Sequence, residues 1–101
     1  MKFKHLNTFA GGTCLQGEID VTYALLKKTF GKETCDGDGY KVDAEWVLKF
    51  EDGTVATIYN YKSGKNYNGK NGTPKSKITD WHIGGTSYKA VERVEEALFG
   101  A

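Results

Sequence analysis

Two runs of alternating polarity face each other across a turn signal in the middle of this chain. Asp43 to Phe50 (DAEWVLKF) and Val55 to Tyr61 (VATIYNY) are separated by Glu51-Asp52-Gly53-Thr54. An Asp-Gly pair between alternating runs is the strongest short-range hairpin signal, because a two-residue primed turn needs positive φ at both central positions. With Asp52-Gly53 as that turn, Phe50 faces Val55, Leu48 faces Thr57 and Trp46 faces Tyr59. Successive side chains of a strand alternate between faces. The expected core face is therefore Trp46, Leu48, Phe50, Val55, Tyr59 and Tyr61. Glu45, Val47, Lys49, Ala56, Ile58 and Asn60 form the other face, a mixed one that is either solvated or a contact surface.

Two amphipathic helices accompany the hairpin. The first runs from Asp20 to Phe30, with Asp20 as cap, Lys27 and Lys28 in the last turns and Gly31 as terminator. Tyr23, Leu26 and Phe30 share its apolar face. The second runs from Tyr88 to Phe99, capped by Ser87, with Ala90, Val91, Val94, Ala97 and Leu98 as its stripe. Short strands are expected at Thr13–Ile19 and Ile78–Ile83. The order β-α-β-β-β-α gives an α+β fold, a mostly antiparallel sheet of about four strands with two helices on one face. The 101 residues form a single domain. A chain of this size buries roughly 60–70% of its unfolded surface, enough for a modest core without metal or disulfide support.

Charge excludes several function classes. Lys and Arg number 14 against 13 Asp and Glu, so global charge recruits neither nucleic acid nor membrane. The longest apolar runs span only a few residues, and no apolar stretch follows the basic N-terminus, so a cytoplasmic location is expected. Cys14 and Cys35 are too few for a disulfide framework and read as free thiols. With only His5 and His82 to help them, they give a metal site little support, and no cofactor is expected.

The segment 62–77 differs in kind. It holds five lysines (Lys62, Lys65, Lys70, Lys75, Lys77), three glycines, three asparagines and no acid. It is a solvated, mobile loop or a surface that engages phosphates, with Tyr67 available to stack a base. Arg93 is the sole arginine, which counts against sequence-specific DNA reading. Beside the loop, His82 and Asp80 project together from the last strand, an arrangement open to acid–base chemistry or to a surface hydrogen-bond network. Gly84-Gly85, read as preceding the second helix, either cradles an anion or serves only a tight turn. Asp36-Gly37-Asp38-Gly39 suggests calcium, but Tyr40 and Val47 occupy ligand positions of the twelve-residue loop, which sinks the match. Tyr40, Tyr59, Tyr61, Tyr67 and Tyr88 are candidate interface anchors.

The order of motifs carries a resemblance. Thr13-Cys14-Leu15-Gln16-Gly17, Tyr23 to Gly31, Gly39 to Trp46, Phe50 to Tyr59 and Asp80 to Gly85 span nearly the whole chain. Together they resemble a family of small accessory proteins encoded by tailed bacteriophages. The resemblance implies a protein acting inside an infected bacterium. Small phage proteins of this kind often block host defence components, as anti-CRISPR proteins do, and others sequester cyclic-nucleotide alarm signals. It transfers no catalytic or ligand residue.

The expectation is a non-enzymatic binding protein that inhibits a host defence protein, or its nucleic-acid complex, by direct binding. Lys62, Lys65, Lys70, Lys75 and Lys77 would meet acidic or phosphate-occupied surface, with Tyr67 as anchor and Lys49, Asn60 and His82 on the adjoining sheet face. Two alternatives stand beside it. In one, the loop and Gly84-Gly85 hold a nucleotide; in the other, His82 and Asp80 serve a hydrolase-type enzyme. A second copy pairing on the mixed sheet face would make a homo-oligomer with a site across its symmetry axis.

Overall fold

The computed structural model describes residues 2–6, 13–35 and 42–100. The Asp36–Gly39 motif and Tyr40 lie outside the described residues. Five strands form one sheet: β1 (Phe3–His5), β2 (Cys14–Asp20), β3 (Glu45–Phe50), β4 (Val55–Tyr59) and β5 (Asp80–Gly85). Their order across the sheet is β1-β3-β4-β5-β2, every neighbouring pair antiparallel. The helices are α1 (Tyr23–Phe30), the single-turn α2 (Lys65–Asn68) and α3 (Lys89–Phe99), with 3₁₀ turns at Gly69–Asn71 and Lys75–Lys77. The α+β class, the antiparallel sheet and the two long helices on one face are as the sequence predicts.

The sheet has a fifth strand, β1, paired with β3, that the sequence does not announce, because Lys2-Phe3-Lys4-His5 alternates over too short a run to stand out from its neighbours. Tertiary contacts hold it in place. The His5 ring lies 2.7 Å from Thr34 Oγ1 through Nδ1 and donates through Nε2 to Phe30 O at 2.7 Å, while Val47 N–H donates to the same Thr34 oxygen at 2.8 Å. Phe3 packs edge-on against Phe30, with centroids 5.2 Å apart.

The hairpin forms one register away from the expected one. Gly53 N–H donates to Phe50 O at 2.9 Å and Phe50 N–H donates to Thr54 O at 2.8 Å, leaving Glu51, Asp52 and Gly53 as a three-residue loop. Gly53 takes φ +90°, the left-handed residue that such a loop places after a type I turn. Leu48 therefore pairs with Ala56, Trp46 with Ile58 and Glu45 with Tyr59. A shift of one residue exchanges the faces of the whole return strand. Ala56 and Ile58 are fully buried in the core, whereas Val55 and Tyr59 stand on the opposite face and Tyr61 is exposed.

The core lies between the sheet and α1 with α3. Trp46, Leu48, Phe50, Ala56, Ile58, Trp81 and Ile83 meet Leu26, Phe30, Ala90, Val91 and Val94. Fully burying each larger aliphatic or aromatic side chain stabilises the fold by about 1.5–3 kcal/mol. The two indoles meet edge to face at 5.5 Å, and both N–H groups are satisfied: Trp46 by Gly31 O at 2.9 Å, Trp81 by Val21 O at 3.0 Å. Thr22, not Asp20, caps α1, its Oγ1 accepting from Leu25 N–H at 3.1 Å; Asp20 is the last residue of β2. Ser87 Oγ accepts from Lys89 N–H at 3.3 Å at the start of α3. Among the described residues, no helix is long and apolar enough to cross a membrane.

Candidate functional site: an aromatic and basic face at one end of the sheet

The segment after β4 folds back on itself around a buried polar cluster. Asn60 is fully buried. Its Oδ1 accepts from the N–H groups of Asp43 and Ala44 at 2.7 and 3.1 Å, and its Nδ2 donates to Asp43 Oδ1 at 3.0 Å. The second carboxylate oxygen of Asp43 accepts from Asn66 N–H at 3.2 Å, and Asn66 Nδ2 donates to Val42 O at 3.2 Å. A Cβ on Gly64 would fall onto the Asp43 carboxylate, so only glycine fits at the entry to α2. Asn60 is thus an internal anchor rather than part of a contact face. The asparagines and glycines that make 62–77 look like a loop in sequence are the groups that hold it in shape.

This anchoring presents a set of side chains to solvent. Tyr61 and Tyr67 are 41% and 40% exposed. The Lys62 ammonium lies 5.2 Å from the Tyr61 centroid and 5.6 Å from that of Tyr67, within cation–π range of both. Lys65, Lys70 and Lys77 are exposed along the same segment. Next to them, His82 meets the rings of Tyr59 and Tyr61 at centroid distances of 5.5 and 5.6 Å. Glu18 Oε1 is 3.1 Å from His82 Nε2. Burial, followed by the charges of Glu45 and Tyr61, pushes the Tyr59 phenol up, so it stays protonated at neutral pH.

Several expected residues have other work. Lys75 is drawn inward: its ammonium lies 2.6 Å from Glu33 Oε2, which is almost wholly buried, and 5.7 Å from the Tyr23 ring. The ammonium therefore meets one oxygen of the buried carboxylate, while Tyr23 O–H donates to the other, Oε1, at 2.7 Å. Lys49 does not adjoin the basic segment. It stands near the hairpin end of β3, opposite Lys4 of β1, beside an open hollow of about 330 Å³ lined by Lys2, Phe3, Phe50 and Glu51. Arg93 is likewise structural, its Nε donating to Asp52 Oδ2 at 2.8 Å and tying α3 to the hairpin.

Gly84 and Gly85 belong to β5 and do not open a helix, since α3 starts at Lys89. A Cβ on Gly84 would lie 2.5 Å from Thr57 Oγ1, and one on Gly85 would lie 2.5 Å from Ala90 Cβ. Both positions are filled by packing, which removes them from the anion-cradle reading. The carboxylate that meets His82 is Glu18 from the neighbouring strand, whereas Asp80 sits opposite Asp20. Cys14 and Cys35 are exposed thiols, and Cys35 Sγ donates to Glu45 Oε1 at 3.8 Å. Among the described residues, no group of three or more His, Cys, Asp or Glu side chains is placed to hold a metal ion.

Contacts therefore join Tyr59, Tyr61, Lys62, Tyr67 and His82 into one cluster with Glu18 at its margin, and Lys65, Lys70 and Lys77 are exposed on the segment that carries Lys62 and Tyr67. Sequence reasoning selected the lysines, Tyr67 and His82 for it. It named Tyr59 and Tyr61 as interface anchors as well, but the assumed register also assigned both to the core, and nothing local marks Glu18 as the partner of His82. Compared with known protein families and with curated proteins, the chain matches none.

Proposed function

We propose that this chain is a non-enzymatic, phage-encoded binding protein that inhibits a component of a bacterial defence system by docking directly on it. The observation that carries the reading is the placement of Lys62 against the exposed rings of Tyr61 and Tyr67 on a segment anchored by buried Asn60. Ring faces supply contact area at low entropic cost, and Lys65, Lys70 and Lys77 supply charge for an acidic or phosphate-occupied surface such as a nucleic-acid channel. The phage setting rests on the motif resemblance described above. A second reading, sequestration of a nucleotide signal, draws on the Tyr59 and Tyr61 rings around His82, which offer flat surfaces next to the Lys62 ammonium.

Phage plating on bacteria that carry individual defence systems tests the proposal. Expression of the protein is expected to restore plaques against one such system, and Lys65→Glu/Lys70→Glu to abolish the effect while the variant stays folded. Restoration of plaques by the double variant at wild-type level would remove the basic face from the account.

A further inference from the structure

Lys62 is the one non-glycine residue among those described with a left-handed backbone, at φ 59°. An L side chain there sits against its own carbonyl, a strain that persists only where the surroundings impose it. The surroundings are visible. Asn68 Nδ2 donates to Lys62 O at 2.8 Å and to Gly64 O at 3.4 Å, and the Asp43–Asn60 cluster fixes the chain on either side. Neither glycine nor asparagine, the residues that tolerate this conformation most readily, occupies the position. What the strained backbone achieves is to bring one ammonium within cation–π distance of two exposed tyrosine rings at once.

We infer that Tyr61 and Tyr67 form an aromatic clamp for a nucleobase, and that Lys62 stands in the clamp until the base enters and then binds the attached phosphate. The inference rests on the reading that this face meets phosphate, and it names the ligand chemistry: a flat heteroaromatic ring joined to a phosphate. An ammonium over an aromatic face occupies the place a stacked base would take, and the same ammonium is a strong partner for the phosphate that arrives with it. His82 meets the Tyr61 ring at 5.6 Å, extending the stacking surface on the sheet side. Charge sets the direction of the ligand. Glu18 beside His82 repels a phosphate from the sheet side, whereas Lys65 and Lys70 follow Lys62 along the segment. Free nucleotides and single-stranded nucleic acid share this chemistry.

The test is calorimetric titration of the whole chain with inorganic phosphate, adenosine monophosphate and a short oligo(dT), using wild type, Tyr67→Leu and Lys62→Gly. Wild type is expected to bind the mononucleotide or the oligonucleotide and to bind inorganic phosphate at least 10-fold more weakly. Stacking on one ring makes Tyr67→Leu about 5-fold to 100-fold weaker. Lys62→Gly relaxes the left-handed backbone, so it is expected to lose affinity by about 10-fold without a fall in melting temperature. Equal affinity for mononucleotide and oligonucleotide supports a free nucleotide as the ligand. Tighter oligonucleotide binding that weakens steeply with salt supports a strand. Phosphate binding as tight as nucleotide binding, or undiminished nucleotide affinity in Lys62→Gly, would overturn the clamp. So would the absence of all binding, while loss of plaque restoration in Lys65→Glu/Lys70→Glu would still uphold the docking face independently.

Discussion

Asn60 and Asp43 bind each other side chain to side chain and side chain to backbone, with Asn60 Nδ2 donating to Asp43 Oδ1 and Asp43 N–H donating back to Asn60 Oδ1. This reciprocal pair joins the start of β3 to the end of β4, and the basic segment hangs from it. Asn60→Ala strands buried donors and opens a cavity, so it is expected to destabilise the fold by about 2–4 kcal/mol. Chemical denaturation measures this directly. A change below about 0.5 kcal/mol, the ordinary range for surface substitutions, would show that the pair is not an anchor.

How far the sequence could be read is clearest at this same place. The alternation of Trp46, Leu48 and Phe50 located the hairpin and its core strand correctly. Asp52-Gly53 announced a turn but not its length. Two-residue and three-residue loops both accept that dipeptide, and the choice between them decides which face of β4 is buried. That ambiguity hid the exposure of Tyr61 and the burial of Asn60 together. The lysine-rich composition marked 62–77 as special, while its order depends on Asp43, whose carboxylate lies about twenty residues upstream and has no local signature. Lys75 shows the same limit, because its partner Glu33 lies on the far side of the hairpin in sequence.

Burial by itself pushes the Glu33 carboxyl up, yet Lys75, the Tyr23 hydroxyl and the backbone N–H of Glu33 together hold it below its ordinary value. A carboxyl depressed in the folded state contributes stability that is present above its unfolded pKa and is lost as pH falls through the folded value. Lys75→Met removes the main compensation and leaves burial. The expected cost at pH 7 is about 1–3 kcal/mol, less than for a fully buried pair because Lys75 is 36% exposed. The loss should shrink as pH falls through the carboxylate range and Glu33 becomes protonated in both proteins. Thermal melts across pH 3–7 check both points, and a cost independent of pH would contradict the assignment.

The Thr54 backbone N–H and the Arg93 guanidinium lower Asp52 to about 2. Its contribution to stability is therefore complete above the unfolded carboxylate range near 4 and disappears as pH drops toward 2. Asp52→Asn is expected to flatten the acid limb of the stability profile over that interval and to leave the neutral limb with the same slope. An unchanged acid limb would mean that Asp52 and Arg93 do not pair in solution.

Gly85 allows α3 to approach the sheet, since a Cβ there would lie 2.5 Å from Ala90 Cβ and 2.9 Å from Val55 O. Neither neighbour can rotate away. Gly85→Ala is expected to cost about 1–3 kcal/mol through overpacking. It should leave partner binding per folded molecule unchanged, because the glycine packs and does not contact ligand. Lost binding at full stability would restore Gly85 to the site.

Native mass spectrometry of the tagged protein recovered from defence-carrying bacteria tests the central claim most directly. Wild type should retain a host defence protein or its nucleic-acid complex, or a molecule of nucleotide mass under the sequestration reading. The Lys65→Glu/Lys70→Glu variant should emerge folded and bare. Retention of the same partner at the same occupancy by the double variant would contradict the account and move the binding surface elsewhere on the fold.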